Sequence, residues 1–363
     1  MVICPYCFNK IDLKKVDMRC ARKTCLDAGT TNRHLIPRHL AKVDRNGYGE
    51  CDICHTSTHT FVCSECHKDL PDTIMQSETK IISIVGAKGS GKSYFVATLL
   101  RKMDEGLFSK INYAATRFPP GNRELYNSRY KDSLEQRIPL TSTNRDNSPI
   151  LIQLTYMNAQ KKKIDHTYSF FDEAGESFVS EADLATITPY ISHSEAIIIL
   201  LDPRQIEKVN MEISAVFPNL PAIEATRYED TINNVADVLY SNLRLNKKKK
   251  IKIPLCVAFS KWDLLIRTPN LLPGDFIVSN PSLAPIRGFD PNMVENASAE
   301  IRSLLNEWDP NFLVTVENKF ETVRYFGFSA WGSGSPNGKD VPVIASFRVE
   351  DPMLWIMHHN KLL

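Results

Sequence analysis

Short apolar runs alternate with amphipathic segments from about residue 80 to the end of this chain. The runs have the length of β-strands and the segments between them have helical spacing, a pattern that predicts a repeating βα sheet. Two runs, at 196–201 and 255–259, are continuously apolar, as in strands buried on both faces. Strands are predicted at 81–85, 150–157, 168–171, 196–201, 255–259 and 323–328, and helices at 93–103, 231–245, 297–308 and 351–358.

Residues 1–70 lack this alternation and are polar and rich in cysteine and histidine. Such a segment buries too little apolar surface to fold alone, which indicates a small module that is stabilised by metal. A polar linker is predicted at 71–79, followed by the main α/β domain at 80–363. Segments near 104–148 and 264–296 are rich in Pro, Asn, Arg and Ser, and are predicted to be insertions or mobile loops.

The 363-residue chain has ordinary apolar and charged fractions for a globular protein, and its formal net charge is +2. This balance gives no overall electrostatic argument for binding to nucleic acid or to a membrane surface. The sequence opens on a cysteine pair rather than a secretory signal, and its longest apolar run is too short to span a bilayer. We therefore expect a cytoplasmic location, where a reducing environment keeps the thiols available for metal.

A glycine-rich segment matches the phosphate-loop pattern GxxxxGK[ST]. It follows a predicted strand and precedes a predicted helix, where backbone N–H groups and the helix N-terminus can surround phosphate oxygens. Lys92 is expected to reach the β- and γ-phosphates of a nucleotide, and Ser93 to ligate Mg²⁺. The predicted phosphate-contacting residues are Gly86, Ala87, Lys88, Gly89, Ser90, Gly91, Lys92 and Ser93.

Three further motifs come at the ends of later predicted strands, where ligands bind in open parallel sheets. The candidate residues are Asp172, Gly175 and Glu176 in an acidic turn, Ser260, Lys261 and Asp263 in a second motif, and Ser329 and Ala330 in a third. The carboxylate of Asp263 can accept hydrogen bonds from two donors on guanine, a pair that adenine does not offer. Ser260-Lys261-Trp262-Asp263 resembles the [NT]KxD guanine-recognition motif, and this resemblance implies a preference for GTP over ATP.

In their order along the chain, the four motifs resemble those of the Ras-like class of P-loop GTPases over roughly residues 80–360. The resemblance implies that Asp172 holds Mg²⁺ through water, that Gly175 contacts the γ-phosphate, and that the Ser-Ala backbone supports guanine O6. More narrowly, the chain resembles bacterial double-GTPase-type domains of predicted conflict or defence systems. The implied fold is a P-loop NTPase with a mostly parallel sheet flanked by helices, preceded by a small zinc-ribbon module.

Two positions depart from the GTPase pattern, because Glu176 replaces the water-positioning glutamine and Ser260 replaces Asn or Thr. A carboxylate cannot donate the hydrogen bond of a glutamine amide, so we expect slow hydrolysis or help from another residue or a partner's arginine. The switch-I threonine is either Thr141 or Thr143, and the pattern does not decide between them. With a single phosphate loop in the chain, any doubling of the GTPase domain would come from a partner.

Eight of the nine cysteines lie before residue 67, as four close pairs. Close pairs suit tetrahedral Zn²⁺ because two thiolates on one tight turn can share the metal. Sequential pairing into two four-cysteine sites is the simplest arrangement, but interleaved pairing and replacement of a cysteine by His34 or His39 stay open. The predicted ligands are Cys4, Cys7, Cys20, Cys25, Cys51, Cys54, Cys63 and Cys66.

The sequence favours a Mg²⁺-dependent GTP-binding and GTP-hydrolysing switch with a zinc-ribbon interaction module. The alternatives are a GTP-binding scaffold with negligible hydrolysis, a zinc-ribbon nucleic-acid binder regulated by nucleotide, and an ATPase. Expected ligands are GTP or GDP, Mg²⁺ and Zn²⁺, and the expected partner is another protein, with a second GTPase chain as a candidate. The lysine run 247–250 is predicted to be a solvated helix end, with contact to an anionic partner as its alternative.

Overall fold

A seven-stranded sheet forms the centre of the main domain in the computed structural model. The structure describes residues 2–75, 77–111, 113–119, 121–136, 138–140, 148–157, 163–172, 190–223, 228–279, 289–331 and 346–363. The strands of the sheet are β8 (Ser77–Val85), β9 (Tyr113–Arg117), β10 (Ile150–Met157), β11 (Lys163–Asp172), β12 (Ala196–Leu201), β13 (Leu255–Phe259) and β14 (Val323–Gly327). Their spatial order is β14-β13-β12-β8-β11-β10-β9.

Strands β14, β13, β12, β8 and β11 pair in parallel, and β10 runs antiparallel to both of its neighbours, β11 and β9. Side chains of the parallel strands enter two cores, since successive residues of a strand point to opposite faces. In β12, Ile197 and Ile199 pack into one core while Ile198 and Leu200 pack into the other. All six residues of β12 are buried, which accounts for its continuous apolar run.

Helices cover both faces of the sheet. They are α1 (Lys92–Asp104), α2 (Asn122–Tyr126), α3 (Asp132–Gln136), α4 (Glu207–Val216), α5 (Tyr228–Asn242), α6 (Trp262–Ile266), α7 (Pro291–Trp308), α8 (Pro310–Lys319) and α9 (Asp351–His359). Helices α1 and α9 contribute to one core, and α4, α5 and α8 to the other. The mostly parallel α/β fold predicted from the apolar pattern is therefore confirmed. Within the described part of the chain, no helix has the length and apolar character of a membrane span.

Two predicted element boundaries differ from the structure for identifiable reasons. Helix α7 begins at Pro291 rather than at residue 297, because the Asp290 carboxylate accepts hydrogen bonds from the Asn292 and Met293 N–H groups. This N-cap followed by proline is a strong start signal that outweighs the polar first turn. The described part of segment 104–148 contains β9, α2 and α3 rather than only irregular loop, because Tyr126 and other side chains there are buried in the core with α1.

The N-terminal module consists of short strands around a small core of its own. They are β1 (Val2–Ile3), β2 (Lys10–Ile11), β3 (Met18–Arg19), β4 (Leu35–Ile36), β5 (Gly49–Glu50), β6 (Ser57–Thr58) and β7 (Thr60–Phe61). Ile74 is buried in this core, and β8 already begins at Ser77, so ordered structure occupies much of the segment predicted as a linker.

The N-terminal module packs directly on the main domain. The Ser169 hydroxyl of β11 donates a buried hydrogen bond of 2.9 Å to the Pro5 carbonyl. The Phe8 ring lies 5.1 Å from the Tyr190 ring, between centroids, and Phe8 belongs to the core of the main domain rather than to that of the module. The two parts of the chain therefore share an interface.

Gly327, the last residue of β14, lies against the indole of Trp262. A Cβ added there would be 2.3 Å from Trp262 Cδ2, and the fully buried indole is held by its Nε1–H bond to the Val278 carbonyl. We expect Gly327→Ala to lower the free energy of unfolding by about 1–3 kcal/mol, because the ring has little room to move. Urea denaturation followed by tryptophan fluorescence measures the change.

The matched control is Gly274→Ala, since no heavy atom of the described residues lies within 4 Å of the position of its Cβ. This control should change the free energy of unfolding by less than about 0.5 kcal/mol. Equal destabilisation of the two variants would contradict the close contact between Gly327 and Trp262.

Candidate functional site

The phosphate loop connects the carboxyl end of β8 to the N-terminus of α1. At its exposed tip, Gly89 has a φ of +76°, and no heavy atom of the described residues lies within 4 Å of where a Cβ would be. Lys92 is buried and its Nζ donates to the carbonyls of Gly86 at 2.7 Å and Ala87 at 3.1 Å. The ammonium group of Lys92 therefore contacts the backbone of the phosphate loop itself.

The loop also has the polar character that a phosphate group requires. Ser90 Oγ is buried and, within the described residues, has no hydrogen-bond partner. A buried polar atom of this kind is costly unless a ligand or water satisfies it. Together with the open space at Gly89, this orphaned hydroxyl fits an anionic group bound in the loop.

Lys261 links the second motif to the phosphate loop. Its backbone has a φ of +53°, immediately before α6. Its Nζ donates to the Gly89 carbonyl at 3.2 Å and to Asp202 Oδ2 at 2.5 Å. Two motifs separated by 172 residues along the chain are therefore joined at one edge of the sheet.

Asp263 and Ser329 join the second motif to the third. The Asp263 N–H donates to Ser329 Oγ at 2.8 Å, and that hydroxyl donates to Asp263 Oδ1 at 2.6 Å. Burial raises the pKa of the Asp263 carboxyl, and the hydrogen bond from Ser329 opposes this effect. The neighbouring Ala330 carbonyl accepts a bond of 3.4 Å from Thr98 in α1. These contacts place one half-buried carboxylate beside the Ser-Ala turn.

Ser260, the first residue of the second motif, is almost fully buried. Its hydroxyl donates to the Leu201 carbonyl at the end of β12, over 3.2 Å. The Ser260 Cβ also lies 3.5 Å from where a Cβ of Gly91 would be. In this position Ser260 packs between the phosphate loop and the end of β12, which suits a small side chain.

The acidic motif begins where β11 ends. Asp172 is the last residue of β11 and lies in register with Ile84, two residues before Gly86. The backbone thus brings this motif beside the phosphate loop. The Asp172 side chain, Gly175, Glu176 and the alternatives Thr141 and Thr143 lie outside what the structure describes, so their roles stay predictions.

Asp202, which the sequence analysis did not identify, lies at the centre of these contacts. Burial would raise the pKa of its carboxyl, but ion pairs with Arg204 and Lys261 outweigh burial and lower it. Asp202 directly follows the predicted buried strand β12. The rule that located the other motifs, polar residues at the carboxyl ends of buried strands, could therefore have located Asp202.

The eight N-terminal cysteines form two clusters that cross between the two halves of the module in a nested arrangement: the first cysteine pair joins the fourth, and the second joins the third. One contains Cys4, Cys7, Cys63 and Cys66, and the other Cys20, Cys25, Cys51 and Cys54. The simpler sequential pairing is therefore wrong. Antiparallel pairing of β3 with β7 brings the two halves of the module side by side, so that each cluster draws one cysteine pair from each half.

The sulfur geometry fits zinc in both clusters. Sγ–Sγ distances are 3.7 Å for Cys7–Cys63 and 3.8 Å for Cys4–Cys66 in one cluster, and 3.5 Å for Cys20–Cys54 in the other. Four thiolates at about 2.3 Å from a tetrahedral ion would be separated by about 3.8 Å. The spacing is too long for disulfides, so the chemistry of the donors and their geometry both suit Zn²⁺.

Neither candidate histidine replaces a cysteine in the four-sulfur sets. The two ring nitrogens of His34 contact Asp27 at 2.7 Å and Asp52 at 2.8 Å. His39 is exposed and lies outside the ligand groups formed by the described residues. Each set is complete with four thiolates, which leaves no open coordination position and indicates a structural role.

Two double variants test the nested pairing of the cysteines. We expect about two zinc ions per chain in the wild type. Cys4→Ser with Cys66→Ser damages a single cluster, so about one zinc ion should remain. Cys4→Ser with Cys20→Ser damages both clusters, so both ions should be lost. Mass spectrometry under native conditions counts the metal, and the opposite pattern in the two variants would indicate sequential pairing.

Comparisons with known proteins agree with this geometry. Residues 80–308 match the Double-GTPase 2 family. A proposed ESX-1 scaffolding and assembly protein, SaeC of Mycolicibacterium smegmatis, is 24% identical over an alignment of 318 positions that covers 81% of this chain and 78% of that protein.

Two solved structures illustrate how distant the structural relatives are. The Arl6 BBS3 small GTPase of Trypanosoma brucei with bound GppNp aligns with a TM-score of 0.30 at 9% identity, covering 78% of this chain and 98% of that one. The Ski7 GTPase-like domain of S. cerevisiae bound to GTP aligns with a TM-score of 0.34 at 17% identity, covering 78% and 50%. At these scores the similarities carry no functional argument.

The sheet, the phosphate loop and the motifs at its carboxyl edge define a P-loop GTPase of the Ras-like class. The match at residues 80–308 covers more than half of the sequence, and the chain belongs to the Double-GTPase 2 family. The predicted resemblance to double-GTPase domains is thereby confirmed. A role in conflict or defence systems stays a prediction.

Proposed function

We propose that this protein binds GTP and hydrolyses it with the help of Mg²⁺, and that it acts as a molecular switch with a zinc-containing interaction module. The observation that carries the proposal is the convergence of three motifs at one edge of the sheet. Lys261 Nζ contacts the Gly89 carbonyl, and Asp263 pairs with Ser329. These bonds join the phosphate loop to the two motifs that would recognise a base.

Each part of the site has a separate role in this proposal. Lys92 turns from the loop carbonyls to the β- and γ-phosphates, and Asp263 accepts hydrogen bonds from guanine. Ser93 and Asp172 are the residues that would hold Mg²⁺. When bound, this ion neutralises the charge that develops on the phosphate oxygens.

The relative affinity for GTP and ATP is the direct test of this function. Opposite adenine, at least one Asp263 oxygen would lack a donor, and an unpaired buried carboxylate costs about 1–3 kcal/mol or more. We therefore expect GTP to bind on the order of tenfold to a hundredfold more tightly than ATP in calorimetry. Asp263→Asn should shift the preference towards xanthine nucleotides, whose added carbonyl accepts from the new amide.

The control is Lys92→Ala, which should weaken the binding of every triphosphate without changing the preference among bases. Equal affinity of the wild type for GTP and ATP would mean that the second motif is only a surface turn. In that case the ATPase alternative would replace the GTPase proposal.

A GTP-binding scaffold with negligible turnover is the second candidate. Two observations favour it: Glu176 replaces the usual glutamine, and the similar protein SaeC is described as a scaffolding and assembly protein. The same similarity supports a protein partner for this chain, and the single phosphate loop makes a second GTPase chain one candidate.

Single-turnover hydrolysis separates the switch from the scaffold. We expect slow GTP cleavage by the wild type, and acceleration of about tenfold or more in Glu176→Gln, because the amide can orient the attacking water. Lys92→Ala should show no cleavage. If neither the wild type nor Glu176→Gln cleaves bound GTP, the scaffold is the correct interpretation.

A further inference from the structure

Asp202 lies where the phosphate loop, the end of β12 and the base-recognition motif meet. Its side chain is 7% exposed, and the Arg204 guanidinium contacts both of its oxygens, while Lys261 contacts Oδ2. Oδ2 accepts from Lys261 Nζ at 2.5 Å and from Arg204 Nη2 at 2.7 Å. Oδ1 accepts from the Arg204 backbone N–H at 3.0 Å and so caps the short helix Pro203–Gln205.

The lysine in this arrangement is the more exposed of the two cationic partners. The Arg204 side chain is 8% exposed and is also fixed by a bond of 2.9 Å from Nη1 to the Pro221 carbonyl. The Lys261 side chain is 34% exposed, and its ammonium contacts Asp202 and the neutral Gly89 carbonyl. The contact with Asp202 adds attraction between opposite charges to the hydrogen bond, which the neutral Gly89 carbonyl does not offer, so Asp202 is the stronger anchor.

We propose that Asp202 is a positioning residue for the nucleotide, holding the Lys261 ammonium against the phosphate loop so that the lysine stem lies along the guanine base. The inference rests on the proposed function, since it concerns how that function's base site is built. A lysine side chain otherwise loses considerable conformational entropy when it orders on a ligand. Because Asp202 already orders the Lys261 side chain in the folded protein, this entropy is not lost again when the nucleotide binds.

Two variants of Asp202 separate this role from helix capping. Asp202→Asn keeps an oxygen that can cap the Arg204 N–H, but it removes the charge that holds Lys261. Asp202→Glu keeps the charge and its longer side chain displaces the cap. If Asp202 positions Lys261, Asp202→Asn should lower the affinity for GTP and GDP about tenfold. The affinity of Asp202→Glu for both nucleotides should stay within about threefold of that of the wild type. A purely structural capping role predicts the reverse order, since asparagine is a good N-cap.

Measuring both nucleotides removes a competing electrostatic effect. Loss of a negative charge near the loop would by itself favour GTP over GDP, because GTP carries the larger charge. Loss of lysine positioning affects both nucleotides alike. A further comparison is Arg204→Gln, which would reproduce the full loss if Asp202 acted through Arg204 instead of Lys261.

A double-mutant cycle with Lys261→Met completes the test. In the Lys261→Met background, Asp202→Asn should cost less than about twofold, because the group that it positions is gone. Asp237→Asn, which breaks the exposed pair between Asp237 and Lys247, is the matched control and should leave affinity unchanged. If Asp202→Asn does not fold, the comparison of Asp202→Glu with Lys261→Met still tests the inference. An equal loss of nucleotide affinity in these two variants would overturn it.

The outcomes distinguish this inference from the function on which it rests. A wild type that does not bind GTP overturns both. A wild type that binds GTP, with additive effects of Asp202→Asn and Lys261→Met, supports the proposed function and overturns the positioning role alone.

Discussion

The parallel pairing of five neighbouring strands, β14, β13, β12, β8 and β11, is the constraint on which the site depends. Parallel strands end at the same edge, so motifs that are distant in sequence must meet there. Strand β8 lies between β11 and β12, and its carboxyl end continues into the phosphate loop. The loop is therefore flanked by Asp172 at the end of β11 and by Asp202 after β12, with Lys261 following β13 next to them.

The continuous apolar runs and the motif positions were the predictable part of this fold. Strands β10, β12 and β13 have the bounds that their patterns predict. For β12 and β13 the reason is burial on both faces, which makes the whole strand apolar and its ends distinct from the polar residues around it. Other elements depend on contacts that periodicity does not show. Helix α8, like α7, begins after an Asp-Pro pair, and the Asp309 carboxylate caps the Phe312 N–H. The start of each helix is therefore marked by its capping residues and not by its apolar spacing.

The site residues show the same difference between features that lie within one motif and features that depend on contacts across the fold. Lys261, Asp263 and Ser329 could be identified because each belongs to a motif at a strand end. The pairing of the cysteines could not, since spacing along the chain reports which thiolates share a turn and not which turns share a metal. Asp202 belongs to no familiar motif: its place after β12 could have marked it as a candidate, but its partner is known from the 2.5 Å contact between Lys261 Nζ and its carboxylate.

The first cysteine cluster is connected to two strands of the nucleotide site, directly to β11 and through Tyr190 to β8. Pro5 lies between the ligands Cys4 and Cys7, and its carbonyl accepts the Ser169 hydrogen bond three residues before Asp172. Beside it, Phe8 packs on Tyr190, whose hydroxyl donates to the Ile82 carbonyl of β8. The metal-binding turn therefore contacts the strand of the acidic motif and a tyrosine bound to the strand of the phosphate loop. Because interiors are close-packed, displacement of this turn cannot leave both strands unchanged.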